Sequence, residues 1–247
     1  MDYPTMSAEL VTVQKFSTHT ELSLNRGDKA NALSAELVDA LTNAVDAAHQ
    51  DGTQLLSIRG AGKNFCAGFD LSSLDRETDE TLIERLRRAE CLLQSIYHAP
   101  FATVALIQGG AYGAGFDIAM ACDYRIAAPE SRFRMPGWRM GLALGTRRTA
   151  ARVGQETAFS FLRAAAVIDA NSALASKFIT EIADPVTWPR RLDEISAELR
   201  ALPSGSYPRL KRILLNDTRT ADLQDLLDSL RAEPLKPRML RYVESKS

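Results

Sequence analysis

Within the first sixty residues the apolar positions switch from a period of two to helical spacing and back. Residues 10–16 and 21–24 alternate or carry β-branched side chains, which predicts two short strands with a turn at 17–20. Leu37, Leu41 and Val45 then recur at helical spacing behind Ser34, whose hydroxyl suits an N-cap. Residues 54–59 form an apolar run that ends in Gly60-Ala-Gly62. A helix over 79–96 is marked by Leu82, Leu86, Ala89, Leu93 and Ile96 on one face, and Pro100 closes it ahead of a buried strand at Ala102–Ile107. A glycine-rich junction, a short helix and a strand at 122–127 follow. Strands alternating with helices predict crossover units and a mostly parallel sheet, an α/β fold.

From about Gly145 onward helical patterns dominate: through Arg152, then 158–165, 172–178, 190–202, 207–215 and 221–231. Pro185, Pro189, Pro203, Pro208, Pro234 and Pro237 punctuate them. The pattern divides the chain into a core over 1–185 and a helical region over 186–247. Leu223, Leu226, Leu227 and Leu230 make an apolar stripe suited to a subunit contact. The thirteen residues after Pro234 are basic with few apolar side chains, and are expected to pack on the body or fray.

The 247 residues are 45% apolar, enough for a real core, and the net charge of −1 offers no basic field for nucleic acid or an anionic membrane. No run approaches the length of a membrane span, and the first residues lack a basic start followed by an apolar stretch. Cys66, Cys91 and Cys122 are odd in number and without metal-like spacing, which points to reduced thiols in the cytoplasm. His19, His49 and His98 lie too far apart in sequence to suggest a zinc site, so no metal is expected.

Candidate chemistry concentrates where two apolar runs break into small residues, at 63–71 and at 107–128. Small residues there let a ligand approach main-chain N–H groups, which a helix N-terminus leaves unpaired and slightly positive. Two such junctions facing one point could hold one developing negative oxygen, as an oxyanion hole does. Nucleotide-binding alternatives fail on spacing. After Gly113 and Gly115 the dinucleotide pattern needs a glycine where Ile118 stands, and no phosphate-binding GxxxxGK[ST] loop occurs. Asp117 lies in the first turn of the expected short helix, where the macrodipole favours its ionised form and hence a base, unless burial opposes it.

Asn31-Ala-Leu33, Asn64-Phe-Cys-Ala-Gly-Phe-Asp-Leu71, Gln108-Gly-Gly-Ala-Tyr-Gly-Ala-Gly-Phe-Asp117, Ala121-Cys-Asp-Tyr-Arg-Ile-Ala127, Phe133-Arg-Met-Pro136 and Gly141-Leu-Ala-Leu-Gly145 occur in this order. In these motifs the chain resembles the enoyl-CoA hydratase/isomerase (crotonase) superfamily. The resemblance implies a spiral of ββα units, a C-terminal helical region used in trimer contacts (a homotrimer or dimer of trimers), and an acyl-CoA thioester as ligand. It implies no cofactor beyond the coenzyme A of that substrate. The oxyanion donors would be the backbone N–H groups of Phe69 and Ala114, flanked by Ala67, Gly68, Asp70 and Gly113, with Asp70 also expected to cap the next helix. Lys29 is a candidate phosphate contact.

The carboxylates depart from the family pattern. Of the two glutamates that hydratases of the family share, the first falls on Asp117 and the second on Gly137. Gly145 does not supply the aspartate nucleophile of the family's dehalogenases. Asp117 is therefore the sole acid/base candidate. Decarboxylation, thioester hydrolysis or acyl-CoA binding without turnover stand beside hydration and isomerisation. Trp138 and Arg139 are expected near the acyl group, where an arginine fork could pair with a carboxylate. Arg147, Arg148 and Arg152 read as a solvated basic helix.

Overall fold

A computed structural model describes residues 9–245; the expectation about a leader falls on residues 1–8 and lies outside the described residues. A six-stranded sheet is built from β1 (Val11–Lys15), β2 (Thr20–Leu24), β3 (Leu55–Gly60), β4 (Ala102–Ile107), β6 (Tyr124–Ala127) and β9 (Glu181–Ile182), in that order across the sheet. Only β1 and β2 are antiparallel, as their short turn requires; every other pair is parallel. A second sheet joins β5 (Gly110–Tyr112), β7 (Arg132–Arg134) and β8 (Ile168–Asp169).

The helices are α1 (Ala35–Gln50), α2 (Asp79–Tyr97), α3 (Ala114–Ala121), α4 (Thr146–Val153), α5 (Gln155–Ala164), α6 (Ala170–Ala175), α7 (Trp188–Arg200), α8 (Ser206–Leu214), α9 (Arg219–Arg231) and α10 (Leu235–Glu244). Ser34 caps α1 by accepting from the Leu37 N–H at 3.3 Å. The α2 stripe of Leu82, Leu86, Ala89, Leu93 and Ile96 is buried throughout. Trp188, Leu192 and Ile195 of α7 pack on Leu55, Val104 and Ile126, so this helix covers one face of the large sheet.

Two expectations are corrected here. No helix starts at Asp70: a 3-10 turn at Leu74–Arg76 follows the first junction and Thr78 caps α2, so Asp70 caps neither. Its carboxylate accepts from the Ser72 N–H at 2.9 Å and pairs with Arg26 at 2.5 Å. Of the two outcomes expected for the residues after Pro234, packing on the body is the one observed: they form α10, burying Leu235, Met239 and Tyr242 at helical spacing. Leu226 and Leu230 are buried within their own chain, which removes the centre of the α9 stripe from any subunit contact.

Candidate active site

The two junctions converge because the first runs alongside the second. Phe65 N–H donates to the Gln108 carbonyl, Cys66 N–H to that of Gly110, and Tyr112 N–H to that of Cys66. The Asn64 side chain accepts from the Gly110 N–H at 2.9 Å. Asn31, fully buried, ties in the loop before α1: its amide donates to the carbonyls of Ala61 at 3.0 Å and Asn64 at 2.9 Å. Gly68 sits where the chains touch. Its φ is +93°, and a Cβ there would lie 2.5 Å from the Tyr112 oxygen and 3.3 Å from the Ala114 nitrogen, so only glycine fits.

Phe69 and Ala114 thus stand side by side on one cavity of about 570 Å³. Leu33 takes up the Gly68 carbonyl and the Asp70 N–H, skipping the Phe69 N–H; Ala114 is the first residue of α3, where amides lack a helical acceptor. Neither N–H has an acceptor among the described residues. Arg85 braces the first donor's loop, with its guanidinium 4.1 Å over the Phe69 ring and a hydrogen bond of 3.0 Å to the Asp70 carbonyl. Cys66, beside the donors, is no nucleophile: burial pushes its thiol up to about 12.

Asp117 lines the same cavity, 1% exposed, and neither carboxylate oxygen has a hydrogen-bond partner among the described residues. Burial pushes its carboxyl well above the usual carboxylate range; the Arg148 charge pulls it down and Glu90 pushes it up. Burial thus opposes the helix macrodipole and favours the protonated form of Asp117. Arg148 is corrected as well. It is 2% exposed and grips Glu90, itself 1% exposed, through two hydrogen bonds of 2.8 and 2.5 Å. Of that arginine cluster only Arg147 keeps to the surface, where it pairs with Asp222 at 3.1 Å; Arg152 is half-buried and donates to the Cys122 carbonyl.

Ala67, Gly68 and Gly113 also line the cavity, as does Gly137, whose Cβ position has room 3.4 Å from the nearest atom. Lys29 and Asp70 do not line it; Lys29 is exposed at the surface turn Gly27–Lys29. Trp138 and Arg139 also lie outside it. The indole N–H donates to Thr146 at 3.2 Å and the guanidinium to the Ala164 carbonyl at 2.9 Å, which holds both on the outer side of the turn Gly137–Met140. The wall opposite the donors comes from Leu86 of α2 and from Met239 and Tyr242 of α10. The apolar spacing of Leu235, Met239 and Tyr242 was the available signal for α10.

An enoyl-CoA hydratase/isomerase family model matches residues 17–229. A relative from Mycobacterium tuberculosis, named as a probable enoyl-CoA hydratase, echA6, is 32% identical over 204 residues, covering 79% of this chain and 78% of its own length. A crystal structure from Bordetella parapertussis that carries an enoyl-CoA hydratase/isomerase designation superposes with a TM-score of 0.92 at 39% identity. It covers 96% of this chain and 99% of that one. The enoyl-CoA hydratase structure from Bacillus halodurans, at 22% identity and a TM-score of 0.83, shares the fold over 94% of this chain and 99% of its own. On the matched span, the shared fold and the identity to these relatives, the chain belongs to the enoyl-CoA hydratase/isomerase family of the crotonase superfamily and is an enzyme of that type.

Proposed function

We infer that the cavity binds an acyl-CoA thioester and that the enzyme moves a proton at the carbon next to the thioester carbonyl. The observation that carries this reading is a pair of amides, Phe69 and Ala114, and a buried carboxyl, Asp117, all on one cavity and all without a hydrogen-bond partner among the described residues. Charge that builds on the thioester oxygen as an enolate forms is met by two fixed N–H donors in a cavity lined mostly by apolar residues, where such donors act strongly. Asp117, whose protonated form burial favours, delivers its proton to the enolate carbon and is reprotonated afterwards. In hydration water adds at the next carbon and the proton it sheds returns to Asp117; in isomerisation the ionised Asp117 takes a proton from one carbon and returns it to another. Ala67, Gly68 and Gly113 shape the approach of the thioester.

A second reading, acyl-CoA binding with little turnover, draws on Gly137, which lines the cavity without offering a carboxylate. Turnover and binding measured on a panel of acyl-CoAs, crotonyl-CoA included, test both. Turnover that falls by about 10²–10⁴ in Asp117→Asn, with binding retained, supports the catalytic reading. Binding without turnover in the wild-type protein favours the second. No binding refutes both.

The same reading carries assembly as a homotrimer or dimer of trimers. Exposed Leu210, Ile213 and Leu214 on α8 supply apolar surface for a contact in place of the buried α9 stripe. Free Cys66, Cys91 and Cys122 support a cytoplasmic setting, and no helix among the described residues is long and apolar enough to cross a membrane.

A further inference from the structure

A second opening, of about 870 Å³, adjoins the cavity and shares Arg134, Met140 and Tyr242 with it. Its charge is one-sided: Arg134, Arg139, Arg238 and Arg241 line it against a single carboxylate, Glu233. Elsewhere arginines find carboxylates, as Arg26, Arg85, Arg148 and Arg191 do. Among the described residues these four form no ion pair. Where their side chains bond, they bond to main-chain carbonyls: Arg134 Nε to Ala165 at 2.8 Å, Arg139 to Ala164 at 2.9 Å, and Arg238 to Met140 at 2.9 Å and Leu230 at 2.8 Å. A carbonyl orients a guanidinium without cancelling its charge.

Arg134 links this opening to the chemistry. It is in register with Tyr112 between β7 and β5, and its carbonyl accepts the Gly113 N–H at 2.9 Å. Its backbone therefore lies one strand spacing from the turn that presents the Ala114 amide, while its side chain borders both cavities. The bond from Nε anchors the guanidinium and leaves its two terminal nitrogens without a partner among the described residues, a fork that matches a carboxylate.

We propose that the enzyme selects acyl-CoA thioesters whose acyl group ends in a carboxylate, received by Arg134 in the field of Arg139, Arg238 and Arg241. The inference rests on the acyl-CoA reading above. The thioester lies at Phe69 and Ala114, the acyl chain runs past Met140, and its charged end meets the arginines. Arg134 is then a specificity-determining residue outside the proton-transfer machinery.

Dissociation constants of glutaryl-CoA and pentanoyl-CoA, equal in carbon number and differing in terminal charge, test this by calorimetry without requiring turnover. The wild-type protein is expected to bind glutaryl-CoA at least tenfold more tightly, and Arg134→Gln to remove that preference while leaving pentanoyl-CoA unchanged. The ratio within one variant is insensitive to partial misfolding, and Arg241→Gln, on the exposed face of α10, is expected to reduce the preference without touching the cavity. Equal binding of both thioesters by the wild type overturns the proposal and leaves the acyl-CoA reading standing; binding of neither overturns both. The 3′-dephospho-CoA thioesters distinguish the other source of negative charge. If the Arg134→Gln effect disappears with them, the cleft serves a coenzyme phosphate and the proposal fails.

Discussion

Gly145 decides whether Asp117 can occupy the cavity, and replacing it with alanine separates that role from ordinary backbone strain. Gly145 precedes α4 with φ +65°, and a Cβ on it would sit 1.9 Å from Asp117 Oδ1 and 2.7 Å from its carboxyl carbon. Ordinary contact needs about 3.5 Å, so the carboxyl must retreat by roughly 1.5 Å. A misplacement of about 1 Å can cost on the order of 10²-fold, or about 2.7 kcal/mol of barrier. The left-handed backbone adds roughly 1–2 kcal/mol of lost stability for alanine. Gly205 supplies the control. It precedes α8 with φ +74°, and a Cβ there meets nothing within 4 Å. Gly205→Ala should share the stability loss and keep its activity, whereas Gly145→Ala should lose about 10² in kcat on the best acyl-CoA substrate. In an Asp117→Asn background Gly145→Ala should cost little more, because both act through one carboxyl. Gly145→Ala turning over as fast as Gly205→Ala, or a loss that multiplies undiminished onto Asp117→Asn, would refute the reasoning.

Ala114→Pro removes one oxyanion donor at the first helical position, where proline is best tolerated, and should lower kcat by about 10²–10³ with an unchanged melting curve; retained activity would exclude this amide. Glu90→Gln strands the buried Arg148 and should cost about 3–5 kcal/mol in denaturant unfolding. It also deletes a charge that raises the Asp117 carboxyl, leaving Arg148 unopposed. If the protonated form of Asp117 is the active one, activity falls as pH rises through its raised pKa, and that limb should move to lower pH in Glu90→Gln; a limb that stays put or moves up would contradict the coupling. Light scattering at micromolar concentration should return the mass of three or six chains, and a single-chain mass would count against assembly.

Local pattern was enough for most elements. The α1 cap at Ser34, the α2 stripe and Ala102–Ile107 follow from spacing that neighbours along the chain impose, and so does the position of both small-residue junctions. The motif order carried the family. What the sequence left open depends on groups far apart in the chain meeting in three dimensions. Whether Asp117 is a base or an acid depends on burial, and on Glu90 and Arg148 brought beside it from α2 and α4. Arg148 reads as solvated from its charge and becomes buried because Glu90 awaits it. Trp138 and Arg139 adjoin Gly137 in sequence, yet a four-residue 3-10 turn carries them away from the cavity that Gly137 lines. The far wall comes from α10, whose few apolar residues gain their meaning only against α2 and the Gly137–Met140 turn. A sequence fixes the period and chemistry of its segments; desolvation and charge pairing are properties of the packed whole, and they set what Asp117 can do.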